Sequence, residues 1–430
     1  MLAPAGNMER LESALRYGAS AVYLGGKDQL NLRQGALGFT SAELAEALAK
    51  TRAAGAKLYY CLNAFPRQQA FGGVEESLER LASLGVDGLI VAGAGVLRRA
   101  KELAPSIEIH LSTQANTASG EAALFWHEQG VSRVNLAREL DLQELRRTTD
   151  FLACHAPELE TEVFVHGAMC LAMSGQCLLS AWLNQRPGNL GQCTHPCRFE
   201  YRGAEMQLSA LRVEESLREG ETLWEIAPEE SGFSAFWSPH ELCLIKYLAW
   251  FKARNISALK LEGRMRTAPV VGHMVNVYRT ALDDLAAGNF RPVLYLRELA
   301  PLASRPLSSG FFLPAGRRKV FFTPDKNVPG PVIVARLLQR VEKPSGGDAC
   351  TGAGAAFAVQ IKAPWGAQSS TQLLLPGLKH IDLPAGSYSF VNHRGEKTDK
   401  LHPGTKGIVY FEEELPLTAT GLYIREKIYD

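Results

Sequence analysis

The chain has 430 residues, of which 46% are hydrophobic and 21% charged, and its formal net charge is +1. This length exceeds one ordinary domain, and the composition excludes a disordered chain and a uniformly basic nucleic-acid coat. No apolar run approaches the ~20 residues of a membrane span, and the opening MLAPAGNMERL lacks a signal-peptide pattern. We therefore expect a cytoplasmic protein of two or three domains.

Short apolar runs alternate with helical patterns along residues 1–291. They predict eight strands, at Leu2–Gly6, Ala21–Gly26, Leu58–Ala64, Gly88–Ala94, Glu108–Thr113, Arg133–Arg138, Thr161–Gly167 and Ala258–Gly263. Parallel βα units in this number favour a closed (β/α)8 barrel of the TIM type, and an open doubly wound sheet is the competing topology. Between the strands, SAELAEALAKTRAAG predicts a helix capped by Ser41, and SPHELCLIKYLAWFKARN predicts a helix that begins near Pro239.

The connection between the seventh and eighth predicted strands is much longer than the others. It forms an insertion of about residues 168–257, whereas connections in compact domains usually have ~2–6 residues. Four cysteines stand at its beginning, and the acidic stretch Ala204–Gly232 follows, which we expect to be a solvated surface excursion. Residues 292–331 are rich in Pro and Gly and predict a linking segment. Residues 332–430 show short alternating runs between turn signals, which predicts a small antiparallel β domain, either a barrel or a sandwich.

The clustered cysteines are Cys170, Cys177, Cys193 and Cys197, with the spacing C-x6-C-x15-C-x3-C. In a reducing compartment such a cluster indicates metal binding or catalysis rather than disulfides. Four thiolates can bind zinc or an iron–sulfur cluster, and the wide first spacing favours the larger cluster over a zinc knuckle.

The remaining cysteines stand apart from this group. Cys61, Cys154 and Cys350 are isolated, which is typical of buried core thiols. Cys243 is either a core residue or a substitute ligand.

Polar residues follow several of the predicted strands, where a barrel places its active site. They are Asn63, Gln114, Asn116, Arg138, Glu139, His166, Glu262, Arg264 and Arg266. An arginine-rich mouth favours a small anion such as a carboxylate. His166 is equally typical of a satisfied core histidine, and Glu262 with Arg264 of a structural ion pair.

Several motifs together resemble the collagenase-like peptidase family (peptidase U32). They are LAPAGNMERLESALRYGASAVYLGG, LSTQAN, EVFVHGAMCLAMSGQCLLS, the G-x-C-x3-C-R pair and LKLEGR. Their order looks most like the branch of prephenate-dependent tRNA hydroxylases, which place a 5-hydroxyl on the wobble uridine. The resemblance implies a [4Fe-4S] cluster on Cys170, Cys177, Cys193 and Cys197.

The resemblance also has departures. His195 stands between the last two cysteines, where an asparagine is more usual in the family. Some relatives take the fourth ligand from further downstream, which leaves Cys243 as an alternative to Cys170 or Cys197.

The leading hypothesis is therefore an iron–sulfur RNA hydroxylase with prephenate as a possible hydroxyl donor. We predict that His166, Glu262 and Arg264 are catalytic, and that the substrate is bound by Asn63, Gln114, Asn116, Arg138, Glu139 and Arg266. The expected partners are the anticodon loop of a tRNA, a small carboxylate ligand and an electron-donor protein, and no membrane. A basic segment that begins at Arg317, Arg318 and Lys319 and runs to Lys343 is the predicted RNA-binding surface.

Three alternatives remain open at this point. The first is a peptidase in which Cys170 is the nucleophile and His166 the base. The second is a zinc-stapled RNA-binding or scaffold protein. The third is a hydroxylase of another substrate, such as ribosomal RNA or a ubiquinone precursor.

Overall fold

The structure is a computed structural model of the chain. It describes residues 1–27, 30–31, 38–173, 176–199, 201, 211–214, 222–226, 238–325, 332–342, 354–416 and 419–427.

Eight parallel strands form a closed barrel, which confirms the predicted (β/α)8 class. Their bounds are β1 (Leu2–Pro4), β2 (Ala21–Leu24), β3 (Lys57–Leu62), β4 (Gly88–Val91), β5 (Glu108–Leu111), β6 (Arg133–Asn135), β7 (Glu160–Ala168) and, after three strands of the insertion, β11 (Ala258–Leu261). Each strand overlaps its predicted range. Because β11 pairs with both β7 and β1, the ring closes on itself and the doubly wound alternative is excluded.

Helices connect most of the barrel strands or extend the fold beyond them. Their bounds are α1 (Met8–Arg16), α2 (Ser41–Ala53), α3 (Phe71–Leu84), α4 (Ala94–Leu103), α5 (Gly120–Glu128), α6 (Leu142–His155), α7 (Leu179–Asn184), α8 (Leu248–Ala253), α9 (Ala268–Ala286) and α10 (Pro292–Leu299). The predicted cap of α2 is wrong by one residue, because Thr40 rather than Ser41 accepts the N–H of Glu43. The Glu43 carboxylate in turn accepts the N–H of Thr40, which completes a capping box.

The barrel interior is a small apolar cluster with charged side chains among it. The apolar members are Leu2, Ala21, Tyr23, Tyr59, Cys61 and Ile90. Lys260 and Glu162 form a buried ion pair inside the barrel, with 2.8 Å between Nζ and Oε1. A larger apolar core lies between the strands and the helices and continues into the C-terminal domain.

The insertion between β7 and β11 adds a second layer of pairing. It contains α7, the hairpin β8 (Leu211–Glu214) and β9 (Thr222–Ile226), then β10 (Glu241–Cys243) and α8. β10 runs antiparallel to the end of β7, and β12 (Leu307–Ser308) and β13 (Val320–Phe322) extend the sheet beyond it. Most of the predicted acidic excursion, Ala204–Gly232, lies outside the described residues.

The helix predicted from Pro239 is wrong over its first half. Residues Glu241–Cys243 form β10, and the α-helix begins only at Leu248. The reason is tertiary, because the buried carboxylate of Glu241 accepts a hydrogen bond from Arg266, 2.5 Å away, and the strand pairs with β7.

The C-terminal region is an antiparallel sheet, as predicted. Its strands are β14 (Ile333–Arg340), β15 (Ala356–Ile361), β16 (Trp365–Gly366), β17 (Thr371–Leu375), β18 (Lys379–Leu383), β19 (Tyr388–Asn392), β20 (Lys397–Thr398), β21 (Lys400–Leu401), β22 (Lys406–Phe411) and β23 (Tyr423–Glu426). Eight of them form one sheet in the order β18-β17-β23-β14-β15-β22-β19-β20. The predicted linking segment 292–331 carries α10, β12 and β13 and so belongs partly to the barrel's extended sheet.

Candidate active site

One cavity of about 110 Å³ opens where the barrel strands end. Its wall includes Asn63 after β3, Gln114 after β5, Arg138 after β6, and Glu262 and Arg264 after β11. This is the carboxyl-terminal face on which barrel enzymes build their active sites.

All four clustered cysteines line the same cavity. Cys170 follows β7, Cys177 precedes α7, and Cys193 and Cys197 lie on the short turns after it. The segment is tied to the barrel by the N–H of Phe65, which donates to the carbonyl of Asn189 at 3.0 Å.

The backbone around the last cysteine pair is unusual. His195 has a left-handed backbone with φ of 61°, and its N–H points to the Cys193 sulfur at 3.3 Å. Asparagine adopts this conformation more readily than most residues, which accounts for the asparagine expected at this position.

The donor set suits a thiolate-bound metal centre. Burial raises the pKa of the Cys197 thiol, the nearby Arg198 guanidinium opposes this, and the neighbouring Cys170, Cys193 and Cys177 raise the pKa further. A cationic centre between the four sulfurs would favour the thiolate form of Cys197. Within the described residues, no three His, Cys, Asp or Glu side chains are arranged around a single ion position.

The charged side chains of the wall are mainly cationic. Arg138 donates from Nη1 to the carbonyl of Ala168 at 2.9 Å, and its guanidinium lies 3.8 Å from the centre of the Phe164 ring. The buried guanidinium of Arg264 donates to Asn31 Oδ1 at 3.2 Å. Arg198 and Lys260 add two more cations, whereas Glu262 is the carboxylate in the lining. Such a wall favours an anionic ligand.

Neutral polar groups complete the cavity. Asn63 Nδ2 donates to Ser112 Oγ at 3.2 Å. The amide oxygen of Gln114 is buried and has no hydrogen-bond partner among the described residues. A buried acceptor of this kind is costly unless a ligand or water satisfies it.

The structure does not bring every predicted residue to this cavity. Asn116, Glu139, His166 and Arg266 are not among its lining side chains. Arg266 pairs instead with Glu241, Asn116 Nδ2 lies 3.9 Å from the sulfur of Met173, and Glu139 is half-buried in the turn after β6.

His166 lies in the core behind the site. Its Nδ1 is 3.3 Å from the Tyr278 hydroxyl, and the two rings meet edge to face. Burial lowers the pKa of His166 to about 4, so the imidazole is neutral at physiological pH. The catalytic role of His166 stays a prediction. Because its side chain does not line the cavity, it would act on the reaction through a neighbouring residue.

Other lining residues were not predicted from the sequence. They are Tyr23, Cys61, Ile90, Ser112, Thr113, Phe164, Leu171, Ser180, Gly188, His195, Arg198 and Lys260. Cys61, predicted to be a core thiol, is buried but also faces the cavity. The same prediction is wrong for Cys154, which is exposed at the end of α6, and Cys350 lies outside the described residues. Cys243 is fully buried on β10 and is not part of the lining.

The predicted basic RNA surface is described in part. Arg317, Arg318 and Lys319 are exposed in the connection between β12 and β13, and the Arg318 guanidinium lies 4.5 Å from the centre of the Phe311 ring. The far end of this segment, at Lys343, lies outside the described residues.

The family model for peptidase family U32 matches residues 6–320. The chain belongs to this family. It is 36% identical over 315 residues to tRNA hydroxylation protein P1 of Bacillus subtilis, which covers 73% of this chain and 70% of that protein. It is 31% identical over 340 residues to tRNA hydroxylation protein P of Escherichia coli, with 72% and 74% covered.

A relative with lower identity carries a different name. The collagenase of Porphyromonas gingivalis is 26% identical over 323 residues, which cover 73% of both chains.

Among the helices that the structure describes, none is long and apolar enough to span a bilayer.

Proposed function

We propose that this U32 protein is an RNA hydroxylase that places a 5-hydroxyl on the wobble uridine of tRNA, with prephenate as the hydroxyl donor. Several relatives are named for tRNA hydroxylation, among them the Bacillus subtilis protein at 36% identity and the Escherichia coli protein at 31%. A wobble uridine is unpaired in the anticodon loop and can be turned out of its stack into a protein cavity. A tRNA substrate implies that the reaction takes place in the cytoplasm.

The observation that carries the proposal is the shared cavity of four thiols and several cations. Cys170, Cys177, Cys193 and Cys197 would hold a [4Fe-4S] cluster. Such a cluster would supply electron transfer or help activate the hydroxyl donor, and an electron-donor protein would serve it.

The protein's own residues would bind and orient the reactants. Arg138 and Arg264 would bind the carboxylates of the donor through their guanidinium groups. The free amide oxygen of Gln114 is a candidate acceptor for the imide N–H of uracil. Glu262, whose Oε2 accepts the N–H of Ala168 at 3.3 Å, would hold or move a proton at the mouth.

The peptidase alternative requires an imidazole base beside the Cys170 thiol. His166 is buried against Tyr278 and outside the cavity lining, which argues against that pair. The relative named collagenase keeps the alternative worth testing.

The proposal is tested by measuring modified nucleosides. A strain that lacks its own tRNA hydroxylation protein is complemented with this chain, and its tRNA nucleosides are separated by mass spectrometry. We expect the wild type to restore 5-hydroxyuridine derivatives and Cys193→Ala to restore none. Cys154→Ala is the matched control, because Cys154 is exposed and lies outside the cavity, and it should behave as wild type.

Anaerobic purification tests the metal and the alternatives. We expect a brown protein with about four irons per chain in the wild type and in Cys154→Ala, and loss of iron in Cys193→Ala with the helical circular-dichroism spectrum retained. A colourless protein with one zinc would favour the scaffold alternative. Thiol-inhibited peptide cleavage by metal-free protein would favour the peptidase.

A further inference from the structure

Exposed apolar side chains are concentrated in the cysteine-bearing segment. Of the eleven large hydrophobic side chains that are exposed in the described part of the chain, six lie between residues 171 and 199. They are Leu171, Met173, Leu178, Trp182, Leu183 and Phe199. Single exposed hydrophobic residues are ordinary, whereas a local concentration of them marks an interaction surface.

One part of this surface, on helix α7, faces away from the cavity, whereas Leu171 also lines the cavity. Ser180 is 2% exposed and faces the cavity. Each residue turns an α-helix by about 100° around its axis. Trp182 comes two residues after Ser180, so its side chain lies about 200° away from that of Ser180 and points away from the cavity. Leu178 lies one turn before Trp182, whose N–H donates to the Leu178 carbonyl at 2.9 Å. Leu178 and Trp182, 78% and 80% exposed, therefore form the outer face of α7.

The charge of this segment selects the kind of partner. From Met169 to Phe199 the sequence contains no aspartate or glutamate, whereas Arg186 and Arg198 are present. The exposed Arg186 follows α7 directly, and its Nε donates to the carbonyl of Gln192 at 3.1 Å. An exposed aromatic side chain in a segment that carries arginines and no carboxylates is complementary to a polyanion that carries unpaired bases.

The position of α7 agrees with this choice. Ser180 of α7 lines the cavity, so a base that entered the cavity would bring its neighbouring nucleotides close to this helix. A nucleotide that leaves the stack also exposes its neighbours, and these need another surface on which to stack.

We propose that Trp182, supported by Leu178, is the stacking surface for an unpaired nucleobase adjacent to the base that enters the cavity. This inference rests on the proposed function, because it assumes an RNA loop as the substrate. The partner class is single-stranded RNA in a loop, read by stacking rather than by hydrogen bonds to a particular base.

The test is the affinity of the full chain, purified anaerobically, for a fluorescein-labelled anticodon stem-loop RNA at fixed salt. Stacking on an aromatic side chain is worth at least about 1 kcal/mol per base, so Trp182→Ala should weaken binding at least roughly fivefold. Trp182→Phe keeps a ring and should stay within about twofold of wild type. Phe125→Ala removes another exposed aromatic side chain, on α5, and should leave the affinity unchanged.

A fully paired RNA duplex serves as the second probe, since it offers no unpaired base. Trp182→Ala should bind the duplex as the wild type does. Equal weakening for stem-loop and duplex, or no weakening for either, would overturn the inference. So would unchanged stem-loop affinity with lost hydroxylation in cells, because that result would assign the outer face of α7 to a protein partner.

The two proposals fail in different ways. If wild-type protein restores the hydroxylated nucleoside but Trp182→Ala binds the stem-loop normally, the stacking role alone is lost. If the wild type neither binds the stem-loop nor restores the nucleoside, the RNA hydroxylase function itself is wrong.

Discussion

At the scale of single residues, Lys260 is the most informative side chain of the site. Its Nζ lies 2.8 Å from Glu162 Oε1 and 4.8 Å from the centre of the Tyr23 ring, and both charged groups are buried. Glu162 also accepts a hydrogen bond from Asn135 at 2.7 Å. Buried polar side chains are thus linked by hydrogen bonds inside the barrel, and the cationic Lys260 forms part of the cavity wall.

Removal of one partner from this pair should be costly. We expect Lys260→Met to lower the free energy of unfolding by about 3 kcal/mol, because it leaves the Glu162 carboxylate buried without its cation. The double variant Lys260→Met with Glu162→Gln should regain most of that loss, since the remaining amide can still accept from Asn135. Urea unfolding of the four proteins of the cycle measures both effects. Additive losses would show that the two side chains are not coupled.

The sequence contains a signal that Lys260 has an unusual environment. A lysine in the middle of the four-residue buried strand ALKL has to find a partner or a cavity, and it has both. The environment of Cys61 is harder to predict. An isolated cysteine inside YYCL has the same sequence pattern whether its side chain faces the core or the cavity. The four clustered cysteines were found because their spacing is itself unusual.

At the scale of elements, β7 organises the site. It pairs with β6 and β11 on its two sides, and its last residues also pair with β10. Gly167 near its end has φ of 110°, and a Cβ there would lie 2.7 Å from the Cβ of Glu262. The end of β7 therefore needs glycine for the close approach of Glu262, and the cysteine segment starts from this point.

The buried histidine of β7 should make stability depend on pH. The folded pKa of His166 is about 4, below the ordinary value of 6.5, so the unfolded chain takes up a proton that the folded chain refuses. Its contribution is fully present above pH 6.5 and is lost as the pH falls towards 4, by about 2 kcal/mol between pH 7.5 and pH 5. In His166→Asn this part of the pH dependence should be absent, as measured by urea unfolding at both pH values. Equal pH slopes in the two proteins would contradict the assignment.

The same variant tests the predicted catalytic role. If the neutral imidazole only supports the packing of Tyr278, nucleoside formation should follow the folded fraction. A complete loss of modification in folded His166→Asn protein would instead place His166 in the chemistry.

At the scale of the whole molecule, the barrel and the C-terminal sheet are joined by specific bonds. Asn276 of α9 donates to the carbonyl of Leu375 and accepts the N–H of Gly377, both at 2.9 Å. Glu12 of α1 pairs with Arg336 of β14 at 2.8 Å. The Asn276 bonds hold the turn between β17 and β18 against the barrel, and the Glu12–Arg336 pair holds β14 there.

Asn276→Ala should therefore weaken the docking of the two parts. We expect a loss of about 2 kcal/mol, because two part-buried hydrogen bonds to backbone groups are removed. Hydrogen exchange at increasing urea should show the C-terminal strands opening before the barrel strands. Asn392→Ala is the matched control, since the described hydrogen bonds of the Asn392 side chain all lie within its own exposed hairpin. A single shared transition in both variants would contradict the expectation.

The architecture was easier to predict than the details of the insertion. Strand periodicity and turn residues are local properties, and they sufficed for all eight barrel strands and for the antiparallel tail. The helix predicted from Pro239 failed because the pairing of β10 with β7 joins residues far apart in the chain. Contacts between residues far apart in the chain also explain why His166 and Arg266 do not line the cavity. His166 contacts Tyr278, and Arg266 pairs with Glu241.

The closed ring of β1–β7 and β11 completes its own hydrogen bonding without the cysteine segment. If the proposed cluster is lost to oxygen, the scaffold beneath it should keep its shape while the chemistry stops. Loss of the cluster would then be reversible in the folded protein. Anaerobic resupply of iron and sulfide to the intact protein should then revive it, with no need for new synthesis or refolding.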